Sequence, residues 1–241
     1  IALTLHLMAD FGAQAEWSDD RHIRVYPVPY RSTPYYIEGD WSAASYWYEM
    51  MALTPDQEAR VVLSGLSPGS YQGDAAVARL FEPLGVHTRF FQNAEGLDCV
   101  ELTKHPVQTE RMDYDFVNQP DLAQTFVVTC AMLGIPFRFT GLQSLRIKET
   151  DRLAALIREL GKLGYPLETD GLAELWWDGK HGEALQGTAI DTYEDHRMAM
   201  SFAPCCLVLP DILINDPHVV SKSYPHYWDD LKKAGFEITT P

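Results

Sequence analysis

Two short motifs place acids and bases at the start of helical patterns. In "KETDRLAAL", Lys148, Glu149 and Arg152 stand ahead of an apolar stripe of Leu153, Leu156, Ile157, Leu160 and Leu163. In "YEDHRMAMSFAP", Asp195, His196 and Arg197 open an almost wholly apolar run. The N-terminal end of a helix carries a partial positive charge and favours anions. Cations there are mildly unfavourable unless something negative faces them. Two further helix starts carry the same mark. "NQPDLAQTFVVTCAMLG" opens with Pro120 and Asp121, and "SKSYPHYWDDLKKAG" has Lys222 just ahead of Ser223 and Pro225.

Each of these residues also has a plain structural reading. Glu149 and Arg152, three apart, can form an exposed ion pair worth little. Arg197 can be a buried cation paired with Asp195 or Glu194, since a cation in a packed environment needs a partner. Asp121 can be an ordinary N-cap carboxylate, and Lys222 a solvated lysine. Thr150 or Asp151 can cap the first of these helices, Asp195 the second and Ser223 the last. A different reading follows if the four helix starts converge, as they do where ligands collect at strand C-termini and helix N-termini in α/β folds. Lys148, Arg152, Arg197 and Lys222 would then surround Asp121 and Glu149. Four cations and two carboxylates suit a substrate with more than one anionic group. Guanidinium forks grip carboxylate or phosphate bidentately, and a carboxylate or a lysine beside them can move protons, which makes Asp121, Glu149 and Lys148 the candidate catalytic residues. The missing negative charge is then the substrate.

The elements that must position these residues recur along the chain. "LMADFGAQAEW" (from Leu7), "LFEPLGVHTRF" (from Leu80), "IRELGKLGYPLET" (from Ile157) and "WDDLKKAGFEI" (from Trp228) each read as a helix end, a glycine stop and an alternating strand. Gly12, Gly85, Gly164 and Gly235 stand where a helix C-cap needs left-handed backbone. After the first three copies a polar turn and a second strand follow, in "HIRVYPV", "LDCVELT" and "LAELWWD". Between these units, helices in "SAASYWYEMMALT", "DLAQTFVVTCAMLG" and "DHRMAMSFAPCCLVL" follow the strands expected in "PYYIEGD", "DYDFVNQP" and "TAIDTYE". Strands alternate with helices throughout, so the fold class is α/β, built from repeated βαβαββ subunits. The Gly- and Ser-rich stretch "SGLSPGSYQGD", residues 64–74, is the expected domain crossover.

Composition narrows the partners. The 241 residues are 46% hydrophobic, enough for a sizeable core. A formal net charge of −15 argues against broad binding to nucleic acid or anionic lipid, while leaving room for a local cationic pocket. No apolar segment approaches the roughly 20 residues that span a bilayer. Cys99, Cys130, Cys205 and Cys206 form no C-x-x-C pair and have no zinc-ligand spacing, and read as buried thiols of a reducing compartment. The start, "IALTLHLMADFG", has no signal-peptide pattern and lacks an initiator Met, so a piece of a longer polypeptide is expected. No Walker loop, dinucleotide fingerprint or nucleophile elbow is present.

"IEGDWSAASY", "NQPDLAQT", "RIKETDR", "DTYEDHRMAMSFA" and "DPHVVSKSYPHYW" resemble, in that order, five motifs of the 5-enolpyruvylshikimate-3-phosphate synthase family. The resemblance implies transfer of an enolpyruvyl group from phosphoenolpyruvate to shikimate 3-phosphate with release of phosphate, in aromatic amino-acid biosynthesis. It implies a two-domain parent of βαβαββ subunits around a pseudo-threefold axis, an inside-out α/β barrel, with the site between the domains. It implies a cytoplasmic monomer with no metal and no organic cofactor. Carried over residue by residue, it has Asp121 and Lys148 binding shikimate 3-phosphate, with Asp121 a candidate base, and Tyr46 packing against that substrate. Arg152, Arg197 and Lys222 would hold phosphoenolpyruvate, and Glu149 would take part in proton transfer at the methylene carbon. His196 lines the site. Ala43 stands where the family usually has a second serine, so a phosphate contact is expected either to be lost or to shift to Ser42 or Ser45. Ser144 stands where an Asn often occurs. Three segments of the family's first half have no match here. Residues 1–72 are therefore expected to be the remnant of one domain and residues 73–241 most of the other. The missing N-terminal half of the same polypeptide would be the partner, and the chain alone would be inactive or nearly so. The rival readings are the sister enolpyruvyl transferase acting on UDP-N-acetylglucosamine, and a non-catalytic domain that binds a phosphorylated ligand.

Overall fold

The computed structural model describes residues 1–185, 187–210 and 212–239. The chain begins with helix α1 (Ala2–Asp10) and the hairpin β1 (Ala15–Asp19) and β2 (His22–Val25). Helix α2 (Trp41–Leu53), strand β3 (Arg60–Ser64), helix α3 (Val77–Leu80) and the hairpin β4 (Val86–Gln92) and β5 (Asp98–Lys104) follow. Then come β6 (Met112–Asp115), α4 (Ala123–Leu133), β7 (Phe137–Thr140), α5 (Arg152–Lys162), β8 (Glu168–Thr169) and β9 (Leu175–Trp177). The last elements are β10 (Ala189–Ile190), α6 (His196–Phe202), β11 (Leu213–Ile214) and α7 (Tyr227–Lys233).

The run β6-α4-β7-α5-β8-β9 is one complete βαβαββ unit. Its four strands make one sheet in the order β6-β7-β9-β8, with β6 and β7 parallel and the remaining pairs antiparallel. The unit before it has α2, β3, α3, β4 and β5, with its strands in the order β3-β5-β4. Its expected first strand, in "PYYIEGD", is not formed. A strand needs a neighbour for its backbone groups, and of this segment's backbone only Gly39 N–H is bonded to a neighbouring strand end, donating to Gly65 C=O at 2.7 Å. The unit after it has β10, α6, β11 and α7, and its expected strand in "FEI" is irregular too. The glycines at the repeat stops do adopt left-handed backbone, with φ of 80°, 87°, 87° and 99° at Gly12, Gly85, Gly164 and Gly235.

The core lies between the sheets and helices α2, α4 and α6, which are buried along nearly their whole length. Its first buried residue is Trp41, and nothing before it is buried. Helix α2 packs on α4, and β3 pairs with β5 in register Val62 to Glu101. Burial therefore begins at Trp41. Residues 64–74 link β3 to a turn of 3₁₀ helix (Gly73–Ala76) and are pinned to the Glu38 carboxylate. Ser67 N–H (3.0 Å), the Ser70 hydroxyl (2.7 Å) and the Gln72 side-chain amide (3.1 Å) all donate to it.

One core residue has a measurable consequence. Glu49, midway along α2, is fully buried, and neither carboxyl oxygen has a partner among the described residues. The nearby Thr129 hydroxyl donates to Thr125 C=O instead, at 2.7 Å. Burial pushes the Glu49 carboxyl well above its usual range, so the folded protein holds it neutral. In the unfolded chain it ionises near pH 4.3. Stability is thus undiminished below that pH and is lost as pH rises toward the folded value. Glu49→Gln is expected to raise stability at pH 8 by roughly 1–3 kcal/mol and to match the parent below pH 4. Melting curves across that range check it, and a variant no more stable at pH 8 would refute it.

Candidate functional site

Parallel strand order decides where the chemistry gathers. Strands β6 and β7, and β10 and β11, are parallel pairs joined through α4 and α6. Within each pair the chain therefore leaves both strands in one sense, and it enters a helical turn beyond each strand's C-terminal end. Asp121 lies in the 3₁₀ turn Pro120–Leu122 after β6. Lys148 and Glu149 follow the 3₁₀ turn Gln143–Ile147 after β7, and Arg152 opens α5. His196 and Arg197 open α6 after β10, and Lys222 ends the 3₁₀ segment Pro217–Lys222 after β11. Gly141 makes one of these exits possible. Its φ is +73°, and a Cβ there would collide with Asp115 Oδ1 and Val117 N.

The four starts do converge. Asp121 meets Lys148 Nζ at 3.2 Å, Arg152 at 3.2 Å and Arg197 at 3.1 Å. Glu149 meets Arg152 at 2.7 Å and Lys222 Nζ at 2.5 Å. Arg152 is the hub: its guanidinium donates to Asp195 (2.7 and 3.3 Å), Asp121 and Glu149. Arg152 is 1% exposed and Asp195 0%, whereas the Lys222 side chain is 55% exposed. The result is a buried anchor with an exposed cation at its rim.

Helix caps account for part of this order. Asp151, of the two candidates, caps α5 by accepting from Ala154 N–H at 3.1 Å. Asp195 caps α6 by accepting from Arg197 N–H at 2.9 Å, and so serves a helix and a guanidinium together. The Arg197 side chain pairs with neither Asp195 nor Glu194. It reaches Asp121 and donates to the Tyr46 hydroxyl at 3.3 Å. Ser223 caps nothing: α7 begins after His226 with no side-chain cap.

The electrostatics follow from the geometry. Burial raises the Asp121 carboxyl, but the charges of Arg197, Lys148 and Arg152 outweigh it and hold it below the usual range. Burial also raises Glu149, and its hydrogen bond from Lys222 with the charge of Arg152 overrides that and brings it down to about 2. Burial and then the Arg197 charge push His196 below its normal value, and its Nδ1 has no hydrogen-bond partner among the described residues. Tyr46 is pushed up to about 12 by burial.

Two expectations concern substrate contact. Tyr46, expected to pack against substrate, is 1% exposed, and its hydroxyl accepts from Arg197. The Ser42 hydroxyl donates to Asp74, and the Ser45 hydroxyl is buried between Ser42 C=O (2.7 Å) and Thr125 (3.1 Å). Both serine hydroxyls are engaged within the fold. Asp74, which reading the sequence missed, is drawn in by this pairing and is raised by burial. Its only signal was its place at the start of a short helix, inside a stretch that reads as linker. The second role of Asp195 was also missed, because a cap and a buried guanidinium partner look alike in sequence.

Comparison with known proteins identifies relatives. Residues 1–231 match the family described as EPSP synthase (3-phosphoshikimate 1-carboxyvinyltransferase). The chain is 55% identical over 238 residues to the 3-phosphoshikimate 1-carboxyvinyltransferase of Bacteroides fragilis, covering 99% of this chain and 56% of that protein. It is 32% identical over 238 residues to the enzyme of the same name from Methanospirillum hungatei, covering 97% of this chain and 53% of that protein. Its fold resembles the EPSP synthase of Acinetobacter baumannii with a TM-score of 0.74 at 20% identity, covering 98% of this chain and 55% of that one. The chain thus spans about half the length of the relatives it matches.

Proposed function

The chain belongs to the EPSP synthase family, and on that premise we propose that it is the part of a 3-phosphoshikimate 1-carboxyvinyltransferase that carries the proton-transfer and phosphoenolpyruvate-binding half of the site. The enzyme would transfer the enolpyruvyl group of phosphoenolpyruvate to shikimate 3-phosphate and release phosphate. The single observation that carries this reading is the charge chain from Lys148 through Asp121, Arg152 and Glu149 to Lys222, drawn together from the ends of β6, β7 and β11. Four cations, Lys148, Arg152, Arg197 and Lys222, meet three carboxylates, Asp121, Glu149 and Asp195, because Arg197 also converges on Asp121.

In this reading Arg152, Arg197 and Lys222 hold phosphoenolpyruvate as a multiply charged anion. Lys148 and Asp121 face shikimate 3-phosphate, and Asp121, held ionised by three cations, takes the proton of the attacking hydroxyl. Glu149 exchanges a proton with the methylene carbon, which must be protonated for an alcohol to add to an enol phosphate. His196, neutral, closes the site behind Glu149. Fixed cations compensate charge as phosphate departs, at no reorganisation cost.

Residues before about Glu38, none of them buried, belong in our reading to a second domain completed by sequence that corresponds to the rest of the relatives' length. The remaining substrate contacts would come from there, so the chain by itself would turn over little. We place the enzyme in the cytoplasm as a monomer; among the described residues no helix is long and apolar enough to cross a membrane.

Phosphate release tests the reading. The full-length protein is given phosphoenolpyruvate with shikimate 3-phosphate, or with UDP-N-acetylglucosamine. Release with shikimate 3-phosphate alone is expected. Release with the nucleotide sugar would point to the sister transferase, and release with neither to a non-catalytic binder of phosphorylated ligands.

A further inference from the structure

We propose that Glu159 and Tyr193 are positioning residues, which hold residues 191–195 in a left-handed turn that delivers Asp195 and Arg197 to the site; the inference rests on the function proposed above. The observation that prompts it is a pair of backbone outliers. Tyr193 and Glu194 have φ of +53° and +58°, consecutively, with no glycine. Asp195 N–H donates to Thr192 C=O at 2.8 Å and closes the turn around them. Positive φ at both central residues of such a turn favours Gly, Asn or Asp. Backbone of this kind persists only where its surroundings over-determine it, and it clusters at functional sites.

The surroundings here are specific. Glu159 on α5 is fully buried. One of its oxygens accepts from the Tyr193 hydroxyl, and the other from Asp191 N–H at 3.1 Å. Lys162 Nζ bridges Glu159 (2.6 Å) and Asp191 (2.9 Å), and the Asn215 amide holds Asp191 at 2.7 Å. Arg158 donates to the Tyr193 hydroxyl at 3.3 Å and lies 5.6 Å from its ring centroid. All of these groups grip the turn, and none of them touches Asp121, Glu149 or Lys222.

Helical spacing explains what the grip achieves. Glu159 is seven residues after Arg152, two turns along the same face of α5. One helix face thus holds the segment at both ends: Glu159 at Asp191 and Tyr193, and Arg152 at Asp195. The Asp195 carboxylate accepts from Arg152 and caps Arg197 only if the turn aims it inward. Were Tyr193 and Glu194 to relax to negative φ, Asp195 would swing away. Arg152 would lose its buried partner, and α6 would lose the cap that sets the direction of Arg197.

Kinetics of the full-length protein test this through three variants. Glu159→Gln keeps one acceptor and the shape but cannot serve both donors. It is expected to raise KM for phosphoenolpyruvate about 10–100-fold, with a smaller effect on the acceptor KM. Tyr193→Phe, the gentler change, is expected to raise it about 3–10-fold with a cooperative melt preserved. Adding Glu194→Gly to Glu159→Gln is expected to restore most of the loss, because glycine adopts positive φ without steric cost. Loss of mere packing would not be rescued that way. An unchanged phosphoenolpyruvate KM in both single variants, or a Glu194→Gly change that harms parent and variant equally, would overturn the proposal. A crystal structure of the Glu159→Gln protein gives a readout independent of turnover. The turn and the contact between Arg152 and Asp195 are expected to shift, and an unmoved turn counts against the inference. If the parent releases no phosphate, the proposed function fails and this structural comparison alone decides.

Discussion

Replacing Arg152 with Ala in the full-length protein is expected to remove activity and stability together. Its guanidinium meets Asp195, Asp121 and Glu149, and both it and Asp195 are sealed from water. Taking away one member of a buried pair leaves the other charged and unsolvated, which costs about 3–5 kcal/mol. Loss of a fixed cation at the reacting anion lowers kcat/KM by a further 10²–10³-fold or so. Arg152→Lys separates the two effects. An ammonium can still neutralise Asp195, so part of the stability returns, but it has no fork with which to span three carboxylates, and activity stays low. A paired change, Arg152→Met with Asp195→Asn, goes further. Stability is expected to recover toward the parent while turnover does not, because an apolar isostere replaces the pair but not its chemistry. Melting and phosphate release on the same samples check this. An Arg152→Ala protein with parental melting temperature and parental turnover would remove Arg152 from the site.

The same residue shows what sequence can and cannot reveal. That "KETDR" and "DHRMAM" hold misplaced cations at helix starts is visible without coordinates, because helix polarity and apolar periodicity are local properties. Their convergence depends on parallel strand order, which sets all four starts beyond strand C-termini, and no local pattern carries that. Partner choice is further removed. Asp195 is two residues from Arg197, yet its carboxylate goes to Arg152, 43 residues away, while the Arg197 guanidinium crosses to Asp121. The errors in the fold share one cause. "PYYIEGD" and "FEI" have strand composition and form none, because a strand exists only with a neighbour. The stretch of residues 64–74 reads as a linker by composition, and the three hydrogen bonds it gives the Glu38 carboxylate are contacts that composition does not show. Its glycines and serines serve that tight approach.

Glu149→Gln is the second large effect, and it is expected to fall on chemistry more than on binding. Glu149 lies between Arg152 and Lys222 and stays ionised down to about pH 2. A carboxylate so held cannot donate a proton at neutral pH. On the proposed function, the bound anion would release it. The phosphoenolpyruvate charges would draw off Lys222, which is 55% exposed, and engage Arg152, so that Glu149 would lose the partners that depress it. Its proton affinity would then rise beside the carbon that needs a proton. Binding and acid catalysis would be coupled through shared cations. Gln keeps the shape and the hydrogen-bonding reach but carries no transferable proton. Turnover is expected to fall about 10²–10⁴-fold with KM for phosphoenolpyruvate within several-fold of the parent. Incorporation of solvent deuterium at the methylene carbon should fall by the same factor, and retained incorporation would assign the proton transfer to another group. The pH dependence of stability supplies an independent check. A carboxyl depressed in the folded state stabilises above its unfolded value near 4.3, and that contribution is lost as pH falls toward 2. The Gln variant should therefore show a shallower loss of stability across that window. A parental acid limb would mean that Glu149 is not ion-paired in solution, and the coupling would lose its physical basis.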